Sequence, residues 1–413
     1  MTDPSTDGDA IAAILAQPFD LASGQRVKNR IVKSAMSETL AGRDNRVPAS
    51  AATLYGRWAA GGLGLSITGN VMVDGRAIGE PGNIVVEDDR DLDALSAWAT
   101  AAQSHGGLIY MQINHPGRQA PLFLNRETVA PSAVALRTPG FGVPRELDEA
   151  EILDLIQRYG RTAAVAEKAG FDGVQVHGAH GYLVSQFLSP LTNLRTDQWG
   201  DSDENRRRFV IEVYREIRRQ TSDGFGVAIK INSADFQTGG ISEDDSAGTI
   251  VALTNEGLDF VEISGGTYEA PAMMGAKKST RAREAYFLEF GAQLRERTST
   301  PLVVTGGWRS GSAMAAAVDA GSVDLVGLAR GLAVNPDFPA QLTTEGDVRQ
   351  DLVEHKTGIQ AIDRMRMVDL IWYERQLHRM GAGKEPRQNE GAWWTMLAHT
   401  MTHGPRAFRR RRG

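Results

Sequence analysis

Cysteine is absent from all 413 residues. This excludes disulfides, thiol nucleophiles, and zinc or iron–sulfur centres held by thiolates. No run of eighteen apolar residues occurs, so no segment reads as a membrane span and no membrane partner is expected. A basic excess is missing too. Lys and Arg number 45 against 51 Asp and Glu, a net charge of −6, and nucleic-acid binding needs cationic surface, so no such partner is expected. The first ten residues, "MTDPSTDGDA", lack the basic start and apolar core of a secretory signal, and a cytoplasmic location is the expectation. No GxGxxG follows the first strand-like run, which disfavours an open dinucleotide-binding sheet.

What is present is alternation. Short β-branched runs stand at "RIVKSAM" (30–36), "LGLSIT" (63–68), "LIYMQI" (108–113), "DGVQVH" (172–177), "GVAIKI" (226–231), "DFVEIS" (259–264), "PLVVTG" (301–306) and "VDLVGL" (323–328). Between them lie amphipathic stretches such as 149–168 and 205–220, and several end in glycine just before the next strand, as in "EKAGFDGV" and "TNEGLDFV". Eight strand–helix units predict an α/β protein with a (β/α)8 TIM barrel, a long loop after strand 3 and a C-terminal helical extension. The expected boundaries are an N-terminal tail over 1–17, the barrel over 18–344, and an extension over 345–413 read as a solvated appendage. That extension carries a helical pattern around 352–380 and the basic end "FRRRRG". The proline-rich interval 114–148 is expected to wall or cover the barrel mouth.

Barrel chemistry sits at the C-terminal ends of the strands. Those ends carry Ala35, Met36 and Ser37; Gly69; Gln112; His177, followed by His180 and Tyr182; Lys230; and Ala329 with Arg330. Carboxylates are not clustered there, which disfavours a two-carboxylate hydrolase. The turns "TGGW" and "GLARG" after strands 7 and 8 suit a phosphate held by backbone N–H groups and a guanidinium. The three-residue spacing of His177 and His180 fits a metal pair on a helix or a turn aimed at a ligand. The neighbouring strand ends offer no third ligand, and Gly178 and Gly181 interrupt any helix, so no metal site is expected. Lys230 at a barrel mouth also permits a Schiff-base aldolase.

Together, "KNRIVKSAMSE", "MQINHPGRQA", "HGAHGYLVSQFLSPLTNLRTD", "SDENRRRF", "VAIKINSADF" and "TGGW…LVGLARGLAVNPDF" resemble the Old Yellow Enzyme family of NADH:flavin oxidoreductases, in family order over roughly residues 18 to 345. The resemblance implies noncovalent FMN, NADH or NADPH as reductant, and ping-pong reduction of a small activated alkene. It implies Ala35, Met36, Ser37, Gly69 and Gln112 around the flavin ring, Lys230 near its N1/O2 locus, and Gly307, Ala329 and Arg330 at its phosphate. It further implies that His177 and His180 bind the substrate carbonyl and that Tyr182 donates a proton. Tyr268 and Trp308 follow strands 6 and 7 in the sequence, where each fits either a wall of the substrate pocket or ordinary packing. Serine at 37 replaces a frequent cysteine or threonine, and lysine at 230 replaces a frequent arginine, keeping charge but losing the bidentate fork. A flavin-binding protein without turnover is the non-enzymatic alternative, and the joint presence of His177, His180 and Tyr182 argues against it. A homodimer involving the basic C-terminus is the partner arrangement considered.

Overall fold

The computed structural model describes residues 4–267, 269, 284–363 and 367–403. Each of the eight runs forms a strand: β1 Ile31–Lys33, β2 Leu65–Ile67, β3 Leu108–Asn114, β4 Gly173–Gly178, β5 Gly226–Asn232, β6 Val261–Ser264, β7 Leu302–Thr305 and β8 Leu325–Leu328. Every neighbouring pair is parallel, and β8 pairs back onto β1, so the eight strands form a closed ring. Two short strands, Val71–Met72 and Ile84–Val85, extend the sheet beside β3. Five strands are shorter than the runs that announced them: β6 and β8 lose residues at the N-terminal end only, and β1, β2 and β7 at both ends.

Helices wrap the ring: α1 Pro4–Leu15, α2 Ala49–Ala60, α3 Leu92–Gln103, α4 Glu149–Lys168, α5 Leu183–Leu188, α6 Asp203–Gln220, α7 Glu243–Glu256, α8 Leu288–Arg295, α9 Gly311–Asp319, α10 Arg330–Val334 and α11 Phe338–Thr344. Their starts are written locally. The Asp148 side chain accepts from Glu151 N while Glu151 returns a bond to the Asp148 backbone, and Ser242 with Asp245 caps α7 in the same reciprocal manner. Ser202 caps α6 by accepting from Asn205 N. Inside the barrel, Val32, Leu65, Ile67, Tyr110, Ala228, Phe260, Val303 and Leu325 fill the lower layers. The short hairpin Phe19–Asp20 with Arg26–Val27 closes that end.

Two expectations need correction. Residues 4–15 are not a loose tail but α1, which packs on α9 and α11 with Leu15 fully buried. Nor is the described part of the extension a solvated appendage. It forms α12 Gln360–Asp363, α13 Met367–Gly381 and α14 Ala392–His403, and α13 packs along α2 and α10. Trp372, Leu377 and Met380 on α13 are each 1% exposed, an apolar stripe that has no stable place in water. Arg57 of α2 ties the arrangement together, bonding both oxygens of Asp337 at 2.7 Å and Glu385 at 2.9 Å. The basic end 408–413 lies outside the described residues.

His115, one residue past β3, is buried, and its Nδ1 accepts from Gly117 N at 3.1 Å. Burial outweighs the nearby Asp74 charge and lowers its pKa to about 4. The unfolded chain therefore takes up this proton below about pH 6.5 while the native state refuses it, and stability falls as pH drops from there toward 4. We expect His115→Gln to remove about 2 kcal/mol of the wild-type stability difference between pH 6.5 and 5, read from urea unfolding at both pH values. Parallel curves for the two proteins would contradict it.

Candidate active site

At the C-terminal end of the barrel opens a cavity of about 740 Å³. Ala35, Met36 and Ser37 line it from the end of β1, Gln112 and Lys230 from β3 and β5, and His177, His180 and Tyr182 from β4 and its loop, across the ring from β1. Gly307, Trp308, Ala329 and Arg330 line the far end. Of the residues singled out in the sequence, Gly69 stands behind this surface. A Cβ there would meet Met36 O at 2.7 Å, and Asn70 lines the cavity in its place. Tyr268 lies outside the described residues.

The floor is a buried polar network. Strand register sets His177 opposite Lys230 and Lys230 opposite Glu262, so these side chains share one level of the barrel. Glu262 is fully buried and accepts from Lys230 Nζ at 2.9 Å, Thr305 Oγ1 at 2.8 Å and Gln175 Nε2 at 2.8 Å. Burial pushes the Glu262 carboxyl up. The Lys230 charge and the three donors outweigh it together and hold the group below the usual carboxylate range. Gln175 in turn accepts from Gln112 Nε2 at 2.7 Å, and Thr305 shares a hydrogen bond with Ser34 at 2.7 Å. Glu262, Gln175 and Thr305 are not among the residues singled out in the sequence, and Asn70 stands at the end of strand 2 without an assigned role. The one available signal was parity: Glu262 alternates inward with Ser264 in an otherwise apolar strand.

The HxxH spacing is a turn. After β4 ends, His180 (φ 61°) and Gly181 (φ 76°) both adopt the left-handed conformation, and α5 begins only after Tyr182. Neighbouring strand ends fix the turn, because His180 N donates to Asn232 Oδ1 at 3.1 Å and His180 Nε2 meets Ser264 Oγ at 2.8 Å. The His177 ring lies 5.2 Å from His180 and 4.7 Å from Tyr182, edge-on to both. His177 Nδ1 accepts from Ala179 N at 3.3 Å, so the neutral ring carries its proton on Nε2. Tyr182 is 3% exposed and packs with Leu136 and Phe141, which brings the 114–148 loop against the site as expected. That loop is pinned by Arg118, which meets Glu269 at 2.8 Å and the carbonyl of Ala135 at 3.1 Å.

At the far end Arg330 Nη1 stands 3.4 Å from Asp369, and its guanidinium sits 5.7 Å from the Tyr373 ring centre. Both partners belong to α13, so the extension supplies part of the cavity wall, together with the chain over 352–356. Ser37 donates its hydroxyl to Glu80, a buried carboxylate after strand 2 that the sequence did not flag.

Residues 15–347 match the sequence profile of the NADH:flavin oxidoreductase / NADH oxidase family. The chain belongs to this family. It is 36% identical over 360 residues to the NADH-dependent flavin oxidoreductase iliE of Hypocrea jecorina, covering 80% of this chain and 89% of that protein. It is 32% identical to the NADPH dehydrogenase of a Geobacillus species, over 84% of this chain and 98% of the other. The old yellow enzyme homologue from Zymomonas mobilis matches its fold with a TM-score of 0.71 at 25% identity, over 82% of this chain and 95% of that structure. The protein is thus an FMN-dependent oxidoreductase of the Old Yellow Enzyme family, driven by a reduced nicotinamide.

The residues present fit FMN. The cavity volume lies in the range of cofactor sites, and its donor set combines an amide at Gln112, a cation at Lys230 and guanidiniums at Arg309 and Arg330. Asn70 Oδ1 is a buried acceptor without a partner among the described residues, as a site built for a hydrogen-bonding ligand would leave it. Gln112 and Asn70 would meet the polar edge of the ring, Lys230 would face its anionic form, and Gly307, Ala329 and Arg330 would take the phosphate end.

Glu262 is the residue whose loss should be felt most. Glu262→Ala leaves the Lys230 ammonium buried without a counter-charge and should cost about 3–5 kcal/mol in urea unfolding. Adding Lys230→Met should recover most of that loss. If Glu262→Ala unfolds at the wild-type midpoint, the pair does not hold the barrel floor.

Proposed function

We propose that this protein reduces the activated C=C bond of α,β-unsaturated carbonyl compounds, with NADH or NADPH as the electron source, in a ping-pong cycle through one cavity. The observation that carries this is the convergence of His177, His180 and Tyr182 on the cavity that also holds Gln112 and Lys230. FMN, when bound, supplies the hydride that the alkene receives and takes one from the nicotinamide between turnovers.

The residues of this chain would do the rest. His177, with its proton on Nε2, donates a hydrogen bond to the substrate carbonyl oxygen. His180 engages Ser264 through Nε2, and when that hydroxyl donates, the ring proton stands on Nδ1, a second donor for the same oxygen. Two donors fixed before the substrate arrives stabilise the negative charge that gathers on oxygen as the β carbon is reduced. The Tyr182 hydroxyl then gives its proton to the α carbon. Its close packing against His177 and the 114–148 loop keeps that donor in one place and water away from it. Lys230, paired with Glu262, supplies fixed positive charge at the floor. The same pairing disfavours the aldolase alternative, since Schiff-base formation needs a neutral amine and Lys230 is engaged as a cation.

The purified protein should show the absorption spectrum of FMN and turn over 2-cyclohexenone with a reduced nicotinamide. A preparation that neither contains FMN nor takes it up would overturn the proposal. Tyr182→Phe should slow re-oxidation by the enone roughly 10²-fold in stopped flow and spare reduction by the nicotinamide. An equal loss in both half-reactions would remove Tyr182 from the proton-donor role. His177→Ala should weaken binding of p-hydroxybenzaldehyde at least tenfold, about the worth of one hydrogen bond to a charged oxygen; unchanged affinity would contradict the carbonyl role.

A further inference from the structure

Helix α14 shows solvent a face that a water-soluble surface rarely carries. Trp393, Trp394, Leu397 and Met401 are 54%, 52%, 51% and 76% exposed. At 100° per residue they fall within an arc of about 100°, so they form one continuous apolar stripe rather than scattered single side chains. The opposite side of the helix is already docked. Ala392 and Thr395 are buried there, and Thr395 Oγ1 reaches Glu390 at 3.2 Å. Within the stripe itself Trp393 is held by its ring N–H, which donates to the carbonyl of Thr357 at 3.0 Å. The outward stripe is therefore not a core face awaiting the rest of the fold. Directly after this helix the sequence runs "GPRAFRRRRG", with Arg406 and Arg409 to Arg412 and no acidic residue, in a chain whose net charge is −6.

An apolar helix face rich in tryptophan beside a cluster of arginines is the pair of signals that holds a protein on an anionic bilayer surface, where either alone binds weakly. We propose that α14 and the arginine-rich C-terminus dock this enzyme on a negatively charged lipid surface, with the Trp393–Met401 stripe in the headgroup layer. No described helix is long and apolar enough to cross a membrane, and none is required, because the helix lies in the surface plane. The lack of a spanning run in the sequence bears on crossing only. A second copy of the chain suits the stripe less well. The four side chains expose roughly 500 Å², short of the about 800 Å² per partner of a stable interface.

The test uses the full-length, FMN-loaded protein and co-sedimentation with phosphatidylcholine vesicles with and without phosphatidylserine. Binding should require phosphatidylserine and fall steeply with added salt. Arg409→Ser with Arg410→Ser should weaken it roughly thirtyfold. Trp394→Ser should weaken it at least tenfold, with FMN content showing that the variant has folded. Absence of vesicle binding would overturn the proposal. So would a Trp394→Ser variant that binds vesicles like the parent but passes from dimer to monomer in light scattering, which would assign the stripe to a second copy.

Discussion

The barrel mouth depends on one buried ion pair. Glu262 lies where no water reaches it, and a lone carboxylate there would be costly enough to unfold the site or take up a proton. Lys230 answers its charge, and Gln175 and Thr305 satisfy its remaining acceptor positions. Because those partners come from β4, β5 and β7, and carry on to Gln112 on β3 and Ser34 beyond β1, the network ties most of the ring at one level. A network satisfied this completely favours one strand register over its neighbours, since a slip of one residue would turn Glu262 out of the barrel and leave Lys230 alone. The same arrangement fixes the Lys230 side chain in one orientation at the cavity.

Above that floor, rigidity comes from a strained turn held on several sides. His180 takes a left-handed conformation uncommon for a residue with a side chain, and Asn232, Ser264 and Gln119 each bond to it. Both imidazoles are thereby aimed by hydrogen bonds to their own ring or backbone atoms before any ligand is present. The far end is built differently. There Arg330 is drawn toward Asp369 and Tyr373 of α13, so the wall is made by a segment some forty residues beyond it in sequence. His378 of the same helix reaches back to the carbonyl of Glu38 at 2.9 Å, which places the extension against the loop that carries Ser37.

Much of this was legible from residues alone. The eight β-branched runs alternate with amphipathic stretches, and each became a barrel strand because closure is the arrangement that pairs parallel strands without an edge. The positions at the strand ends follow from that count, which puts His177, Gln112 and Lys230 at the mouth. The glycines around His180 already argued for a turn over a helix. The carboxylate beneath Lys230 was not seen, because a glutamate within a strand reads as an outward-facing residue until its parity is compared with its neighbour's. The extension was misjudged for a related reason: a stripe of Trp372, Leu377 and Met380 announces that something must cover it, but not which surface does.

Sequence by itself determined the number of barrel units, the residues at their ends and the family, since each depends on local spacing and on motifs whose order survives in a linear reading. Only the tertiary structure decided which charges are neighbours, which glycine lies behind the cavity, and what walls its far end. Those outcomes depend on contacts between segments far apart in the chain: Lys230 with Glu262 across a strand pair, Met36 with Gly69, and Arg330 with Asp369. Such pairs are chosen by the free energy of burying polar and apolar groups together, a quantity that belongs to the folded arrangement and to no single stretch of sequence.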